Sequence, residues 1–302
     1  MADSPVLSVK RMSLIGCGLI GGSFAMAMKA AGLVEHVVGS SPTAATLDQA
    51  RALGVIDSGV DSAAAAVRGA DMVLVAVPVT QTEAVFRAIR DELSPDVLLM
   101  DVGSTKRDVV DAARRVLRER LPNLVPAHPI AGKEQAGVAH AEASLFRDCN
   151  VLLTPIAQTE PKRVRRAEAI WTAVGGRVQV MTPETHDATF AAVSHLPHLL
   201  AYAYFNAILG QPAGVDYLEM GGPGFRDFTR IAASDPKVWR DILWTNREEV
   251  LKQSMRFRQA LDALEHVMRS GDQAALEELI RAASDGRSGW SASGSRRRKA
   301  TP

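Results

Sequence analysis

The run Gly16-Cys17-Gly18-Leu19-Ile20-Gly21 limits what this chain can fold into more than any other feature. It joins a short apolar stretch at residues 12–15 to an Ala- and Met-rich stretch of helical composition at 22–31. A Gly-x-Gly-x-x-Gly pattern between a strand and a helix permits a tight turn and lets a pyrophosphate approach the free N–H groups of the helix start. Residues 36–39 read as a second strand, closing a βαβ unit of about 30 residues. Gly16, Gly18, Leu19, Ile20 and Gly21 are therefore expected to hold the phosphates of a nicotinamide dinucleotide.

Further strand-like runs follow at 72–77, 97–101 and 124–127, separated by helical stretches at 80–92 and 105–120. None alternates polar with apolar, as expected of strands buried on both faces of a doubly wound parallel sheet. Residues 150–154 and 177–181, flanking a basic helical segment at 161–174, are expected to extend that sheet. After Thr182-Pro183, a cap followed by proline in the first turn, only helical spacing appears, at 185–209, 239–268 and 273–283. Residues 210–236, with Gly221, Gly222, Pro223 and Gly224, read as a loop-rich break. The expected organisation is a Rossmann domain over 1–181, an all-helical domain over 182–284 and a disordered basic tail over 285–302.

Composition excludes several roles. The net charge is +1, and Arg287, Arg296, Arg297, Arg298 and Lys299 concentrate positive charge in the tail, which reads as solubilising. Neither nucleic acid nor a membrane is expected as a partner, since apolar runs fall well short of the ~18 residues of a span. Cys17 and Cys149 are the only cysteines, and no apolar leader core precedes Gly16. A reduced, cytoplasmic setting is expected.

The ribose end of the cofactor site carries a departure. About twenty residues past Gly21, where an NAD-selective site places Asp or Glu on the ribose 2′-hydroxyl, the chain has Ser40 and Ser41. No carboxylate repels a 2′-phosphate and two hydroxyls are available to donate to it, so NADP is expected to be tolerated. No arginine follows immediately, so NAD stays open and a preference for NADP is a question for assay.

Fold alone names no reaction. Ser104 in Asp101-Val102-Gly103-Ser104-Thr105-Lys106 and His128 in His128-Pro129-Ile130-Ala131-Gly132-Lys133-Glu134 each follow a strand, at the sheet edge where open α/β sheets bind ligands. In the helical half, His186-Asp187 and Ser194-His195-Leu196-Pro197-His198 fall on one helix that Pro197 should kink. Those histidines lack the His-Glu-x-x-His spacing and cysteine partners of a zinc site, and no metal is expected. Arg230, in Gly224-Phe225-Arg226-Asp227-Phe228-Thr229-Arg230, is a fixed cation suited to a carboxylate.

Together GCGLIGGS, AVPV, DVGSTK, HPIAGKE, HD with SHLPH, and GFRDFTRIAASDPKVWRDI resemble the prephenate and arogenate dehydrogenase family, in order, from about residue 12 to 283. The resemblance implies a Rossmann domain, a helical domain that builds a homodimer, and an active site in the cleft between them. It implies that His128 is the catalytic histidine and Ser104 its partner beside the nicotinamide and the substrate 4-hydroxyl. Arg230, His198, Lys133 and Glu134 would surround the substrate, and Val77 and Pro78 would line the cofactor site. Lys133 stands where many members carry a small hydroxyl residue, and Pro223 interrupts a glycine run; both bear on side-chain specificity.

The implied chemistry is oxidative decarboxylation of prephenate to 4-hydroxyphenylpyruvate, or of arogenate to tyrosine, with hydride passing to NAD(P). Two alternatives stand beside it. One is a 3-hydroxyacid or 6-phosphogluconate type dehydrogenase, which would use a lysine on a helix. The other is a non-catalytic dinucleotide-sensing dimer, which would leave Ser104, His128 and Arg230 without a role.

Overall fold

The computed structural model describes residues 7–133 and 135–290. Strands β1 (Val9–Ile15), β2 (Val34–Ser40), β3 (Ser58–Val60), β4 (Met72–Val75), β5 (Leu98–Asp101) and β6 (Leu124–Val125) form one parallel sheet in the order β3-β2-β1-β4-β5-β6. Helices α1 (Leu19–Ala30), α2 (Ala44–Ala52), α3 (Ala63–Val67), α4 (Thr82–Ile89) and α5 (Arg107–Val116) make the crossovers. Strand order reverses between β1 and β4, which opens a crevice at their carboxyl ends.

Side chains divide between the two faces with the period-2 rule of a strand. Met12, Leu14, Met72, Leu74, Leu98 and Met100 share one buried cluster with Phe24 and Met28 of α1. Ile15, Val73, Val75 and Leu99 share the other with Phe86 of α4 and with Val109 and Val116 of α5. Burial on both faces explains the absence of alternation in the sequence. The register pairs Ile15 with both Ser40 and Val75, and Val75 with Asp101. The segments that follow these strands, at Gly16, Ser41, Ala76 and Val102, thus leave the sheet along one edge.

The later strands do not extend this sheet as expected. β7 (Ala127–Pro129), β8 (Asn150–Leu153) and β9 (Arg177–Val180) form a separate three-stranded sheet, in which β7 runs antiparallel to β8. The break falls at Pro126, which has no N–H for the β6 ladder and whose carbonyl accepts Thr154 N at 2.9 Å. The chain turns there and carries His128 into the second sheet, opposite Leu152. Helix α6 (Pro161–Ala173) links β8 to β9 and buries Ile170 and Trp171 against the first cluster.

From Thr182 the chain is helical. Thr182 caps α7 (Pro183–Phe190) by accepting Thr185 N at 3.1 Å. One π turn over Ala191–His195 then leads into α8 (Leu196–Leu209), whose second residue is Pro197. The expected kink is therefore a wide turn just before the proline, which has no N–H to bond back into that turn.

Residues 210–236 hold more order than a loop-rich break. They contain α9 (Gly214–Glu219), α10 (Pro223–Thr229) and a 3₁₀ turn at Arg230–Ala233. Pro223 occupies the first turn of α10, the position where its missing N–H is harmless. The single helix expected over 239–268 is two, α11 (Pro236–Thr245) and α12 (Arg247–Ser270), divided at Asn246.

By compactness the chain divides into Met1–Val250 and Leu251–Pro302. In the second unit α13 (Gln273–Gly289) continues into the segment expected to be tail, while residues 291–302 lie outside the described residues. No side chain of α13 is buried, and Leu261, Met268, Leu279 and Ile280 are exposed.

Candidate active site

The glycine loop has the shape its pattern demands. Gly16 takes φ +95°, and a Cβ there would lie 2.3 Å from the Ala76 carbonyl oxygen. A Cβ on Gly21 would meet Gly16 O at 2.5 Å and Leu14 at 2.8 Å. At Gly18 an added Cβ would meet nothing within 4 Å, so this position is held open instead of being filled by the fold. Gly18 caps α1 with no side-chain hydrogen bond, and no acidic residue occupies the first turn. This open cradle with unopposed N–H groups fits a dinucleotide pyrophosphate.

Cys17 is buried between these glycines, and burial pushes its thiol pKa up to about 11. Ser40 is only 6% exposed at the end of β2, and its carbonyl accepts Gly16 N at 2.9 Å. Ser41 is half-buried.

A cavity of about 440 Å³ lies at this edge of the sheet. Gly18, Leu19 and Ile20 form one wall, Val77, Pro78 and Ser104 a second, and Lys133 and Gln135 a third. The remaining wall is α11, through Val238, Trp239, Asp241 and Ile242. Two hydrogen bonds hold α11 to the strand-end loops. Thr80 Oγ1 donates to Asp241 Oδ2 at 2.7 Å, and Thr105 Oγ1 lies 3.1 Å from Thr245 Oγ1. Because Thr245 Oγ1 donates to Asp241 O at 2.8 Å, Thr105 is the donor to Thr245.

Of the residues singled out in the sequence, Ser104, Lys133, Gly18, Leu19, Ile20, Val77 and Pro78 share this cavity. Lys133 is exposed and pairs with Glu142 at 2.9 Å. His128, His198 and Arg230 stand outside the cavity lining, as do Gly16, Gly21, Ser40 and Ser41. Glu134 lies outside the described residues. His198 stacks on Trp239 with centroids 3.3 Å apart, and its Nδ1 donates to Ser194 O at 3.0 Å. Its pKa is lowered, first by burial and then by the positive charge of Arg230. Arg230 opens the 3₁₀ turn that leads to Ser234 and Asp235 on the cavity wall.

Behind the cavity lies a buried polar network. Lys106 Nζ donates to Asp101 Oδ2 at 2.5 Å and to Ala127 O at 2.7 Å, fixing the end of β5 to the start of β7. Asp187 caps α5 from a different helix, accepting Lys106 N at 2.8 Å and Arg107 N at 3.0 Å. His186 Nδ1 lies 2.8 Å from Asp187 Oδ1, and His186 Nε2 lies 2.8 Å from His128 Nδ1. Asn246 Nδ2 donates to Asp187 O at 2.8 Å and to His195 Nδ1 at 3.0 Å.

Burial holds the imidazoles of this network neutral. His128 falls well below its ordinary pKa, first through desolvation and then because the adjoining His186 imidazole and the Lys106 ammonium disfavour a positive charge beside them. Desolvation likewise lowers His186, against the pull of Asp187, and takes His195 to about 4. A neutral imidazole at the start of β7 is a base at physiological pH.

Sequence reasoning assigned no role to His186, Asp187, Asn246, Trp239 or Asp241. The His186-Asp187 pair was visible as adjacent polar residues at a helix start. Trp239 and Asp241 fall within the GFRDFTRIAASDPKVWRDI stretch without a role of their own there, and Asn246 lies outside every motif; each acts on a partner more than forty positions away.

Comparison with known proteins adds an independent line. Residues 24–180 match the nucleotide-binding domain of prephenate dehydrogenase, and residues 182–282 match its dimerization domain. The chain is 38% identical to cyclohexadienyl dehydrogenase of Zymomonas mobilis over 246 residues, covering 80% of this chain and 83% of that one. It is 33% identical to prephenate dehydrogenase of Bacillus subtilis, covering 91% and 75%. Among solved structures, prephenate dehydrogenase of A. aeolicus in complex with hydroxyphenyl propionate and NAD+ superposes with a TM-score of 0.88 at 34% identity, covering 93% of this chain and 98% of that one.

Proposed function

Since the chain belongs to the prephenate dehydrogenase family, we propose that it oxidatively decarboxylates prephenate, arogenate or both, with hydride passing to NAD(P), in the cytoplasmic synthesis of tyrosine. One observation carries this reading. A single cavity has the open glycine cradle on one wall and Ser104 on another, and the loop that follows His128 contributes Ala131, Gly132 and Lys133.

Gly18, Leu19 and Ile20 would hold the pyrophosphate, with Val77 and Pro78 along the dinucleotide. When bound, the nicotinamide ring supplies the hydride acceptor. Ser41 is the hydroxyl with surface to offer a ribose 2′-substituent, since Ser40 is buried. The absence of an acid at this edge supports use of both NAD and NADP.

His128, kept neutral by burial, accepts the hydrogen of the substrate 4-hydroxyl and takes that proton as the carbinol C–H bond breaks. Ser104 orients the hydroxyl. The ring carboxylate leaves as carbon dioxide, its C–C electron pair makes the ring aromatic, and His128 returns the proton to the ring oxygen, so one substrate yields one phenol, one carbon dioxide and one reduced dinucleotide with no net release of a proton. Arg230 and His198 hold a substrate carboxylate, and fixed charge there sets the distance between reacting carbons. Lys133, already paired with Glu142, faces the side-chain end, where a keto group distinguishes prephenate from the amino group of arogenate.

The lysine-based alternative is disfavoured at Lys106. That residue stands two positions from Ser104, but its ammonium is sealed against Asp101 and Ala127 O.

The helical half supports a homodimer. Leu261, Met268, Leu279 and Ile280 are exposed on helices that bury almost nothing of their own in the second unit, and a second copy would cover them.

The test is a two-by-two assay of prephenate and arogenate with NAD and NADP, following reduced dinucleotide and carbon dioxide together. Stoichiometric formation of both with at least one substrate is expected. Their absence in all four arms would leave only a dinucleotide-binding protein.

A further inference from the structure

His128 is the end of a line of three side chains whose hydrogens are fixed by the far end. The Asp187 carboxylate accepts Lys106 N and Arg107 N, and it is held below the ordinary carboxylate range: burial opposes this, but His186 and the two backbone donors outweigh it. An ionised carboxylate only accepts, so the hydrogen in its 2.8 Å contact with His186 must sit on His186 Nδ1. A neutral imidazole has one N–H. His186 Nε2 is then a bare acceptor, and its 2.8 Å contact with His128 requires the hydrogen on His128 Nδ1. His128 Nε2 is left as the nitrogen with a free lone pair.

The cap on α5 accounts for Asp187 but not for His186. His186 is fully buried, packed at 4.6 Å over Phe190 and edge-on to His128 at 5.0 Å. An apolar side chain would fill that space without the cost of burying an imidazole. Its two ring nitrogens instead connect the carboxylate to the base.

We propose that Asp187 and His186 are positioning residues, which through two successive hydrogen bonds hold His128 in the tautomer whose Nε2 receives the substrate proton. This rests on the reading of His128 as the base. The same line serves the reaction as it proceeds. Once Nε2 has taken the proton, His128 keeps its Nδ1–H bond to His186, and the new positive charge lies on the line that ends at the Asp187 carboxylate. The carboxylate of a Ser-His-Asp triad acts on its imidazole in the same two ways, setting the tautomer and stabilising the imidazolium.

The test combines spectra with two variants. Long-range proton–nitrogen-15 spectra of the labelled free enzyme should show His128 protonated on Nδ1 and bare on Nε2. His186→Phe, which fills the space without an acceptor, should move His128 toward the Nε2–H form and lower kcat roughly 10- to 100-fold, with NAD affinity unchanged. His186→Gln, whose amide oxygen can accept from His128 Nδ1, should recover most of that loss. A wild-type His128 protonated on Nε2 would overturn the proposal, whether or not either variant folds. So would a His186→Phe enzyme with unaltered kcat and tautomer. Failure of the base reading is a separate result, seen as wild-type turnover in His128→Asn.

Discussion

Lys106 Nζ lies 2.5 Å from Asp101 Oδ2, with 0% and 1% of the two side chains exposed, and this pair fastens the strand before Ser104 to the strand that carries His128. Removing one member of such a pair leaves the other as an uncompensated buried charge. Lys106→Met is expected to lower the unfolding free energy by about 3–5 kcal/mol in a urea titration. A loss below about 1 kcal/mol would show that the pair contributes nothing beyond packing.

The glycines of the phosphate loop should separate by role. Gly16→Ala places a Cβ against the Ala76 carbonyl at a left-handed φ, and should cost about 1–3 kcal/mol or more of stability. Gly18→Ala adds a Cβ where the chain has no neighbour, so Tm should hold while NAD binding weakens roughly tenfold or more, about 1.4 kcal/mol. Calorimetry and a binding titration on the two variants check this. A destabilised Gly18→Ala that still binds NAD normally would reverse the assignment.

Cys17, 2% exposed and with its thiol pKa near 11, should resist alkylation in the native protein. At pH 8 about one thiol in a thousand is ionised at that site, and the thiolate is the reactive form. Peptide mapping after iodoacetamide treatment is expected to find Cys17 unmodified until the protein is unfolded. Labelling as fast as that of a free thiol would mean the loop opens readily.

Much of the fold was legible in the sequence because the parallel sheet is written in local chemistry. Uninterrupted apolar runs such as 72–75 and 97–100, short and rich in Val, Leu and Met between polar helical stretches, fit strands with both faces covered, and the glycine pattern marks the crevice. The second sheet was not legible, since a proline at 126 signals a break without saying what the next strand pairs with. The short helices at 214–219 and 223–229 were masked by glycines that read as loop. Ser104 and His128 could be found at strand ends, but the link between His128 and His186 spans 58 positions and exists only once β7 has turned into its own sheet.

Arg230→Ala should raise the substrate KM roughly 10- to 100-fold with a smaller change in kcat, the pattern of lost carboxylate binding. Arg230→Lys should recover only part, because an ammonium lacks the planar fork. Steady-state kinetics with prephenate decide this, and an unchanged KM would move the carboxylate site elsewhere.

The claim that His128 takes the substrate proton is tested most directly by His128→Asn, with single-turnover rates and NAD affinity measured on the same preparation. The expected result is a fall in turnover of roughly 10²-fold or more with NAD affinity intact. Wild-type turnover in that variant would contradict the account and remove His128 from the chemistry.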